Sequence, residues 1–218
     1  MADILQFFFD GSELIGTIAF AASGAMLAID RKLDLFGVIF LGAITACGGG
    51  MMRDIILGIL PPAAFRNPIF VLVAAITSIL VFLFAYLKEQ RYWQQRDRID
   101  HYINLLDAIG LGIFSVIGAE VAMNRGYSDN MFLCMMMGMS TGVGGGILRD
   151  LLSRSIPAVL KKRIYAVASI AGAAVYYVMV CANLSNPLSM LGGMIITVII
   201  RMLATHYLWD LPIVHHNE

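Results

Sequence analysis

The pattern Gly-Gly-Gly-x-x-Arg-Asp occurs twice in this chain, at residues 48–54 and at residues 144–150. In both copies an apolar run leads into the three glycines, and further apolar residues follow the charged pair. Glycine costs a helix about 1 kcal/mol per residue relative to alanine, so three in succession predict an interruption. In lipid, interrupted backbone is tolerated only where it is buried in protein or lines a water-filled cavity. The pattern therefore predicts two helix breaks at a permeation or binding site.

The composition places these breaks in a membrane protein. Hydrophobic residues make up 59% of the 218 residues and charged residues only 14%, whereas soluble domains carry about 25% charged residues. Apolar runs of about 20 residues, the length needed to cross a bilayer core, recur along the chain. The formal net charge is zero, so nothing indicates a nucleic-acid partner.

We predict an all-α membrane protein with seven transmembrane helices, of which the second and fifth are broken. Asp34 is the predicted N-cap of the second helix, and the segment Ser128–Asn130 is the predicted cap of the fifth. The polar segment Lys88–His101 is the predicted loop between two halves of the chain. The predicted spans are residues 12–29, 35–60, 68–87, 105–124, 131–156, 164–182 and 187–205.

The two halves align with each other beyond the glycine pattern. Glu13 matches Asp107 at an offset of 94, and Pro61 matches Pro157 at an offset of 96. Each copy holds three spans, an odd number, so the second copy must enter the membrane from the opposite side. The chain is thus predicted to be two inverted three-helix repeats plus one helix: residues 1–100 with a basic cytoplasmic loop, residues 101–183, and residues 184–218 with the seventh helix and a short tail.

Basic residues predict the orientation in the membrane. Ten of them fall on one side, against Arg66 and Arg125 on the other, which places the N-terminus outside and the C-terminus in the cytoplasm. The ten are Arg31, Lys32, Lys88, Arg91, Arg96, Arg98, Arg154, Lys161, Lys162 and Arg163.

With spans arranged as three plus three plus one and a doubled Gly-Gly-Gly-x-x-Arg-Asp pattern, the chain resembles the trimeric intracellular cation channels, in particular their prokaryotic branch. The resemblance implies a homotrimer in the lipid bilayer of the bacterial inner membrane. It also implies a pore in each protomer, lined by the two broken helices, that conducts potassium and other monovalent cations. Some prokaryotic members are labelled putative glycine transporters, so a carrier for a small zwitterion such as glycine is the alternative.

The candidate pathway residues lie at or beside the two breaks. Carbonyl groups freed at a break, together with nearby hydroxyl groups, would offer oxygen atoms to a dehydrated cation. Close helix packing is the alternative role for the glycines, and hydrogen bonds back to the helix are the alternative for the hydroxyls. The candidates are Thr45, Cys47, Gly48, Gly49, Gly50, Arg53 and Asp54 in the second span, and Ser140, Thr141, Gly144, Gly145, Gly146, Arg149 and Asp150 in the fifth.

The charged residues of the two patterns lie in or near the membrane. Since side chains adjacent in sequence point to different sides of a helix, we predict that Arg53 pairs with Asp150 and Arg149 with Asp54. The alternative is that both pairs are solvated at the membrane surface.

Three further residue types complete the candidates. Glu120 is an acid well inside the fourth span, which makes it a site hypothesis by default, with a structural arginine partner as the alternative. Arg201 is predicted to snorkel to the membrane surface. Cys47, Cys134 and Cys181 are interpreted as small buried hydrophobic residues. The sequence holds no catalytic constellation and no metal-ligand spacing, so we expect neither an enzyme nor a cofactor.

Overall fold

The structure is a computed structural model that describes residues 2–88, 96–161, 164–207 and 209. Residues 1, 89–95, 162–163, 208 and 210–218 lie outside the described residues. Parts of the predicted cytoplasmic loop and several of the basic residues used to predict the orientation are among them. The helices are α1 Ala2–Asp30, α2 Leu35–Ile56, α3 Ala63–Arg66, α4 Ile69–Leu87, α5 Arg96–Ala122, α6 Met131–Leu152, α7 Ala158–Lys161, α8 Tyr165–Cys181 and α9 Asn186–His206, with a π-helical turn Met123–Tyr127 after α5.

Long apolar helices dominate the described part of the chain. Six of them, α1, α2, α4, α5, α6 and α9, are long and apolar enough to cross a membrane. The predicted sixth span is the shorter apolar helix α8, of 17 residues. The chain is therefore an all-helical integral membrane protein. One predicted boundary is wrong, because α5 begins at Arg96 and much of the polar segment predicted as a loop is helical.

The helices α2 and α6 begin where the sequence predicts. The Oδ1 atom of Asp34 accepts a hydrogen bond from the backbone N–H of Gly37 over 2.7 Å. Likewise, the Oδ1 atom of Asn130 accepts from the N–H of Leu133 over 3.0 Å. The predicted N-cap Asp34 is confirmed, and within the predicted cap segment 128–130 it is Asn130 that satisfies a backbone donor of the first helical turn.

The predicted breaks in α2 and α6 are wrong, because both helices run unbroken through their glycines. The reason lies in the contact between the two helices. A Cβ atom at Gly49 would collide with the carbonyl oxygen of Thr141, and one at Gly145 would collide with the carbonyl oxygen of Thr45. The glycines let two backbones approach closely, and this packing outweighs their low helix propensity. The alternative role, close packing, is confirmed.

The bundle consists of two three-helix groups and one further helix. Helices α1, α2 and α4 contact one another, as do α5, α6 and α8, while α9 contacts α5 and α8. The groups meet where α2 contacts α6 and α1 contacts α5. At the centre of this junction the rings of Phe20 and Phe114 pack with their centroids 5.2 Å apart.

Candidate functional site

The contact between α2 and α6 is tight and apolar. Two bulky side chains pack against glycines of the opposite helix. A Cβ atom at Gly48 would lie 2.6 Å from Cδ1 of Leu148, and a Cβ atom at Gly144 would lie 2.9 Å from Sδ of Met52. We call these contacts the glycine crossing. Met52 and Leu148 thus occupy the space that these two glycines leave between the helices.

The third glycine of each triplet faces elsewhere. A Cβ at Gly50 would make only ordinary contact with the Arg53 side chain, at 3.7 Å. At Gly146 it would lie 3.0 Å from the hydroxyl oxygen of Tyr165. The first two glycines of each triplet therefore form the crossing, and the third borders a charged residue or a tyrosine.

The hydroxyl groups predicted to face an ion are bonded to their own helices. Thr45 Oγ1 donates to the carbonyl of Leu41, and Thr141 Oγ1 donates to the carbonyl of Met137, both over 2.6 Å. Ser140 Oγ donates to the same Met137 carbonyl over 3.2 Å. The alternative role of back-bonding to the helix is thus confirmed for these three residues.

Arg53 binds the aspartate beside it in the sequence. Its Nε and Nη2 atoms lie 2.9 and 2.8 Å from Oδ1 of Asp54. The other carboxylate oxygen, Oδ2, accepts the N–H of Ala63 at the start of α3, over 2.8 Å. Arg53 is 6% exposed and Asp54 is 1% exposed, so the pair is not solvated either.

The equivalent pair in α6 has the same arrangement. Arg149 Nε lies 2.9 Å from Oδ1 of Asp150, whose Oδ2 accepts the N–H of Ala158 at the start of α7 over 2.7 Å. The predicted pairing of Arg53 with Asp150 and of Arg149 with Asp54 is therefore wrong. The long arginine side chain reaches around the helix to its neighbour, and a short helix holds the aspartate in place.

Arg149 also binds an aspartate from another helix. Its Nη1 atom donates to Oδ1 of Asp107 on α5 over 2.7 Å and to Oγ of Ser23 on α1 over 2.8 Å. The guanidinium group thus has two carboxylate partners, as a buried charge requires. Sequence reasoning missed Asp107 as a site residue, although it is an acid inside an apolar span and matches Glu13 of the first half.

Arg201 joins the same cluster from α9. Its Nη2 atom lies 3.8 Å from Oδ2 of Asp107, and its guanidinium carbon lies 4.6 Å from the ring centre of Tyr165. Arg201 is only 2% exposed, so the prediction that it snorkels to the surface is wrong. A carboxylate and an aromatic face stabilise this cation inside the bundle.

Two cavities hold these charged groups. The larger has a volume of about 380 Å³ and is bordered by Arg31, Asp107, Asp150 and other polar residues. The smaller has a volume of about 40 Å³ and is bordered by Glu13, Cys47, Arg53 and Asp54. Arg31 lies just before the start of α2, and Arg53 lies about 27 Å along that helix from its first residue. The charged cavities therefore lie towards opposite ends of α2, with the glycine crossing between them.

Glu120 belongs to neither cavity. Its Oε1 atom accepts a hydrogen bond from Nδ2 of Asn186 over 2.6 Å, and Oδ1 of Asn186 accepts from the hydroxyl of Tyr176 over 3.0 Å. The partner of Glu120 is thus the amide of Asn186, and the alternative of an arginine partner is wrong.

The three cysteines differ in burial: Cys134 is buried, Cys47 is half-buried and Cys181 is exposed. The interpretation of Cys181 as a buried residue is therefore wrong. Within the described part of the chain, no three His, Cys, Asp or Glu side chains are grouped so as to hold a metal ion.

Known proteins share this sequence and fold. A family model described as glycine transporter matches residues 11–86 and 104–180. The UPF0126 inner membrane protein YadS of Escherichia coli strain K12 is 38% identical over 207 residues, covering 92% of this chain and 93% of that protein. A UPF0126 membrane protein of Vibrio cholerae is 36% identical over 200 residues, covering 92% of this chain and 80% of that protein.

The fold is similar to that of solved cation channels. The crystal structure of a prokaryotic TRIC channel in 0.5 M KCl matches with a TM-score of 0.83 and 34% identity, covering 97% of this chain and all of that one. The TRIC trimeric intracellular cation channel orthologue from Rhodobacter sphaeroides matches with a TM-score of 0.82 and 30% identity, covering 92% of this chain and 98% of that one. Sequence, fold and the doubled glycine pattern together assign this chain to the trimeric intracellular cation channel family, in the prokaryotic branch that carries the glycine transporter label.

Proposed function

We propose that this protein is a channel for monovalent cations, potassium first among them, with a pore in each protomer between α2 and α6. The observation that carries the proposal is the placement of two buried charged cavities on either side of the glycine crossing. Charged groups inside a membrane are rare, and each is by default a hypothesis for an ion or substrate pathway. The similarity to solved TRIC cation channels supports the same function.

The carboxylates remove the main objection to a cation pathway, which is the presence of arginines. In the larger cavity Arg149 and Arg201 face Asp107 and Asp150, so these four charges cancel. In the smaller cavity Arg53 faces Asp54, and Glu13 adds a further acid. A potassium ion would therefore meet no uncompensated positive charge from these groups.

The glycine crossing corresponds to a closed gate in this proposal. Met52 and Leu148 present apolar atoms to the space between the cavities, and an apolar constriction of this kind excludes water and ions. Conduction then requires these two side chains to move away from the glycines against which they pack. No carbonyl group of α2 or α6 needs to be freed, because ions pass between two intact helices.

We extend the proposal to topology and assembly. Seven spans form two inverted repeats, residues 1–100 and 101–183, with the seventh helix in residues 184–218. The match of one family model to two segments of the chain supports the repeat, as do the reciprocal contacts of Gly49 with Thr141 and Gly145 with Thr45. The protein is a homotrimer in the bacterial inner membrane, with the N-terminus outside and the C-terminus in the cytoplasm.

A carrier for glycine is the second candidate, favoured by the description of the family model. Such a carrier would bind the carboxylate of glycine with the free N–H groups of two half-helices beginning near Gly50 and Gly146. Since α2 and α6 are continuous there, those N–H groups are bonded within the helices. The channel is the better supported of the two.

Purified protein in a planar bilayer tests the proposal. We expect discrete potassium currents without any amino acid present, reversing at the potassium equilibrium potential. A carrier moves substrate only as fast as its repeats rock, so it gives no unitary currents and instead exchanges labelled glycine across liposomes with saturation. Saturable glycine exchange without potassium conductance would overturn the channel.

A further inference from the structure

The acid Glu13 in the smaller charged cavity has no hydrogen-bond or ion-pair partner among the described residues. It lies on α1 and borders this cavity together with Thr17, Arg53 and Asp54. Arg53 is already bound, since its Nε and Nη2 atoms lie 2.9 and 2.8 Å from Oδ1 of Asp54. These two residues offset each other's charge, so the Glu13 carboxylate leaves the cavity with one surplus acid.

The second half of the chain supplies a comparison for this acid. Asp107, which matches Glu13 in the sequence, binds Arg149 over 2.7 Å and has Arg201 3.8 Å away. The larger cavity thus uses its acid to offset two arginines, and one of them comes from α9, which belongs to neither three-helix group. No arginine forms such an ion pair with Glu13 in the described part of the chain. The carboxylate of Glu13 is therefore available to a ligand.

Thr17 supplies a second unused oxygen atom in the same cavity. It is 2% exposed, and its hydroxyl group forms no hydrogen bond with any described residue. The buried hydroxyl groups of Thr45 and Thr141, by contrast, donate to carbonyl groups of their own helices. Because Thr17 follows Glu13 by four residues on α1, the two side chains lie on one face of the helix, about 5–6 Å apart. A buried hydroxyl without a protein partner is expected where a bound ion or water supplies the partner.

The size and charge of this cavity fit one monovalent cation. Its volume of about 40 Å³ has room for an ion with one or two water molecules, since a water molecule needs about 10–15 Å³. Carboxylate and hydroxyl oxygens are ligands for hard cations and not for soft ones. Calcium takes about six to eight oxygen ligands, several of them from carboxylates, whereas the described residues of this cavity offer one unpaired carboxylate.

We propose that Glu13 and Thr17 form a binding site for one monovalent cation on the α3 side of the glycine crossing. The Glu13 carboxylate supplies the charge, the Thr17 hydroxyl supplies a further oxygen atom, and water completes the coordination. The inference rests on the proposed function, in which this site holds potassium at the entrance to the crossing and raises its local concentration there. Asp107 does not serve in this way at the opposite end, because arginines bind its oxygen atoms.

Thermal unfolding of the full chain in detergent tests the binding. Potassium chloride is compared with the chloride of N-methyl-D-glucamine, a cation too large for the cavity, at equal ionic strength. A cation that binds only the folded state raises the unfolding temperature as its concentration increases. We expect a rise with potassium that Glu13→Gln abolishes, and an apparent affinity that Thr17→Val weakens about tenfold.

Two matched controls remove the same groups elsewhere. Asp129→Asn removes an exposed acid after α5, and Thr197→Val removes a buried hydroxyl that donates to the carbonyl of Gly193 on its own helix. Both variants should keep the full potassium-dependent rise. An equal rise in Glu13→Gln and in the unchanged protein, or a rise with calcium in place of potassium, would overturn the proposal. If Glu13→Gln does not fold, an unchanged apparent affinity in Thr17→Val overturns it as well.

Single-channel recording separates the cation site from the proposed channel. At about 0.01 M salt, Glu13→Gln should lower the potassium current entering from the α3 side about threefold and change the opposite current less. At about 1 M salt the difference should vanish, because salt screens the charge. Equal loss in both directions at every salt concentration would overturn the site and leave the channel standing. A potassium-dependent rise in unfolding temperature that Glu13→Gln abolishes, in a protein without unitary currents, would overturn the channel and leave the cation site standing.

Discussion

The Nη1 atom of Arg149 donates a hydrogen bond to the Oδ1 atom of Asp107 over 2.7 Å, in the interior of an apolar bundle. The two side chains are about 5% exposed each and come from α6 and α5. Asp107 is shared, because its second oxygen lies 3.8 Å from Nη2 of Arg201. The Asp107 carboxylate thus offsets part of the positive charge of two buried arginines, Arg149 on α6 and Arg201 on α9. It is therefore the carboxylate shared between helices in the larger charged cavity.

Removing this carboxylate should destabilise the fold. We expect Asp107→Asn to lower the free energy of unfolding by about 3–5 kcal/mol, because it removes one of the two carboxylates that bind Arg149 and the carboxylate beside Arg201. Asp100→Asn is the matched control on the same helix, since Asp100 is exposed and should change stability by less than about 0.5 kcal/mol. Chemical unfolding in detergent measures both, and equal effects would show that Asp107 is solvated.

The neighbouring Arg53 and Asp54 should be energetically coupled. A double-mutant cycle with Arg53→Gln and Asp54→Asn should give a coupling free energy above about 1 kcal/mol. The same cycle between Arg53 and Asp150 should give additive effects within about 0.5 kcal/mol, since no contact joins these two residues in the described part of the chain. A larger coupling in the second cycle would restore the crosswise pairing that the sequence pattern predicts.

Two neighbouring glycines of one triplet should respond differently to a methyl group. Gly49→Ala should cost about 1–3 kcal/mol, because the new Cβ collides with the Thr141 carbonyl oxygen and the helices must separate. Gly50→Ala adds the same atom where there is room and should stabilise the helix by about 0.5–1 kcal/mol. Unfolding measurements on the two variants compare neighbours in one helix. Similar values for both would argue against a close helix contact at Gly49.

Shortening a side chain that packs in the glycine crossing should favour the open state of the proposed channel. Leu148→Ala removes apolar contact with Gly48, so we expect the ratio of open to closed channels to rise about tenfold, which corresponds to about 1.4 kcal/mol. Single-channel recording measures the open fraction. Leu151→Ala is the control, because Leu151 is 57% exposed on the same helix and touches no glycine of α2 among the described contacts. An unchanged open fraction in Leu148→Ala would place the gate elsewhere.

Thiol labelling should distinguish the cavity from the packed interior. Cys47 borders the smaller charged cavity, whereas Cys134 is fully buried and donates its S–H to the Tyr127 carbonyl over 3.3 Å. In a Cys181→Ala background, a small water-soluble thiol reagent should modify Cys47 and spare Cys134, as read by mass spectrometry of the intact chain. Protection of Cys47 equal to that of Cys134 would mean that water does not reach this cavity.

The sequence predicts the long helices and their starts because these depend on local features. Apolar runs of bilayer length and the side chains of Asp34 and Asn130 act within one segment of chain. The state of the glycine triplets depends on the opposite helix. The low helix propensity of glycine alone favours a break at Gly49. The helix continues because Gly49 packs closely against the Thr141 carbonyl of the opposite helix, a contact that the sequence does not reveal.

The sequence predicts which charged residues belong to the site, but it does not predict which of them pair with each other. The repeat identifies Arg149 and Asp150, yet the rule that adjacent side chains diverge on a helix leads to the wrong partners. That rule neglects the reach of an arginine and the effect of a short helix after the aspartate. Asp107 was missed, and Arg201 was placed at the surface, because the contact between them joins helices far apart in the sequence.

Asp54 and Asp150 each hold an arginine with one oxygen and the first N–H of a short helix with the other. Each aspartate thus links a charged cavity to the short helix α3 or α7 through its two oxygen atoms. Through these bonds, a shift of the arginine would also move its aspartate and the short helix bound to it. A molecule bound to α3 or α7 would therefore act on the buried charges without entering either charged cavity.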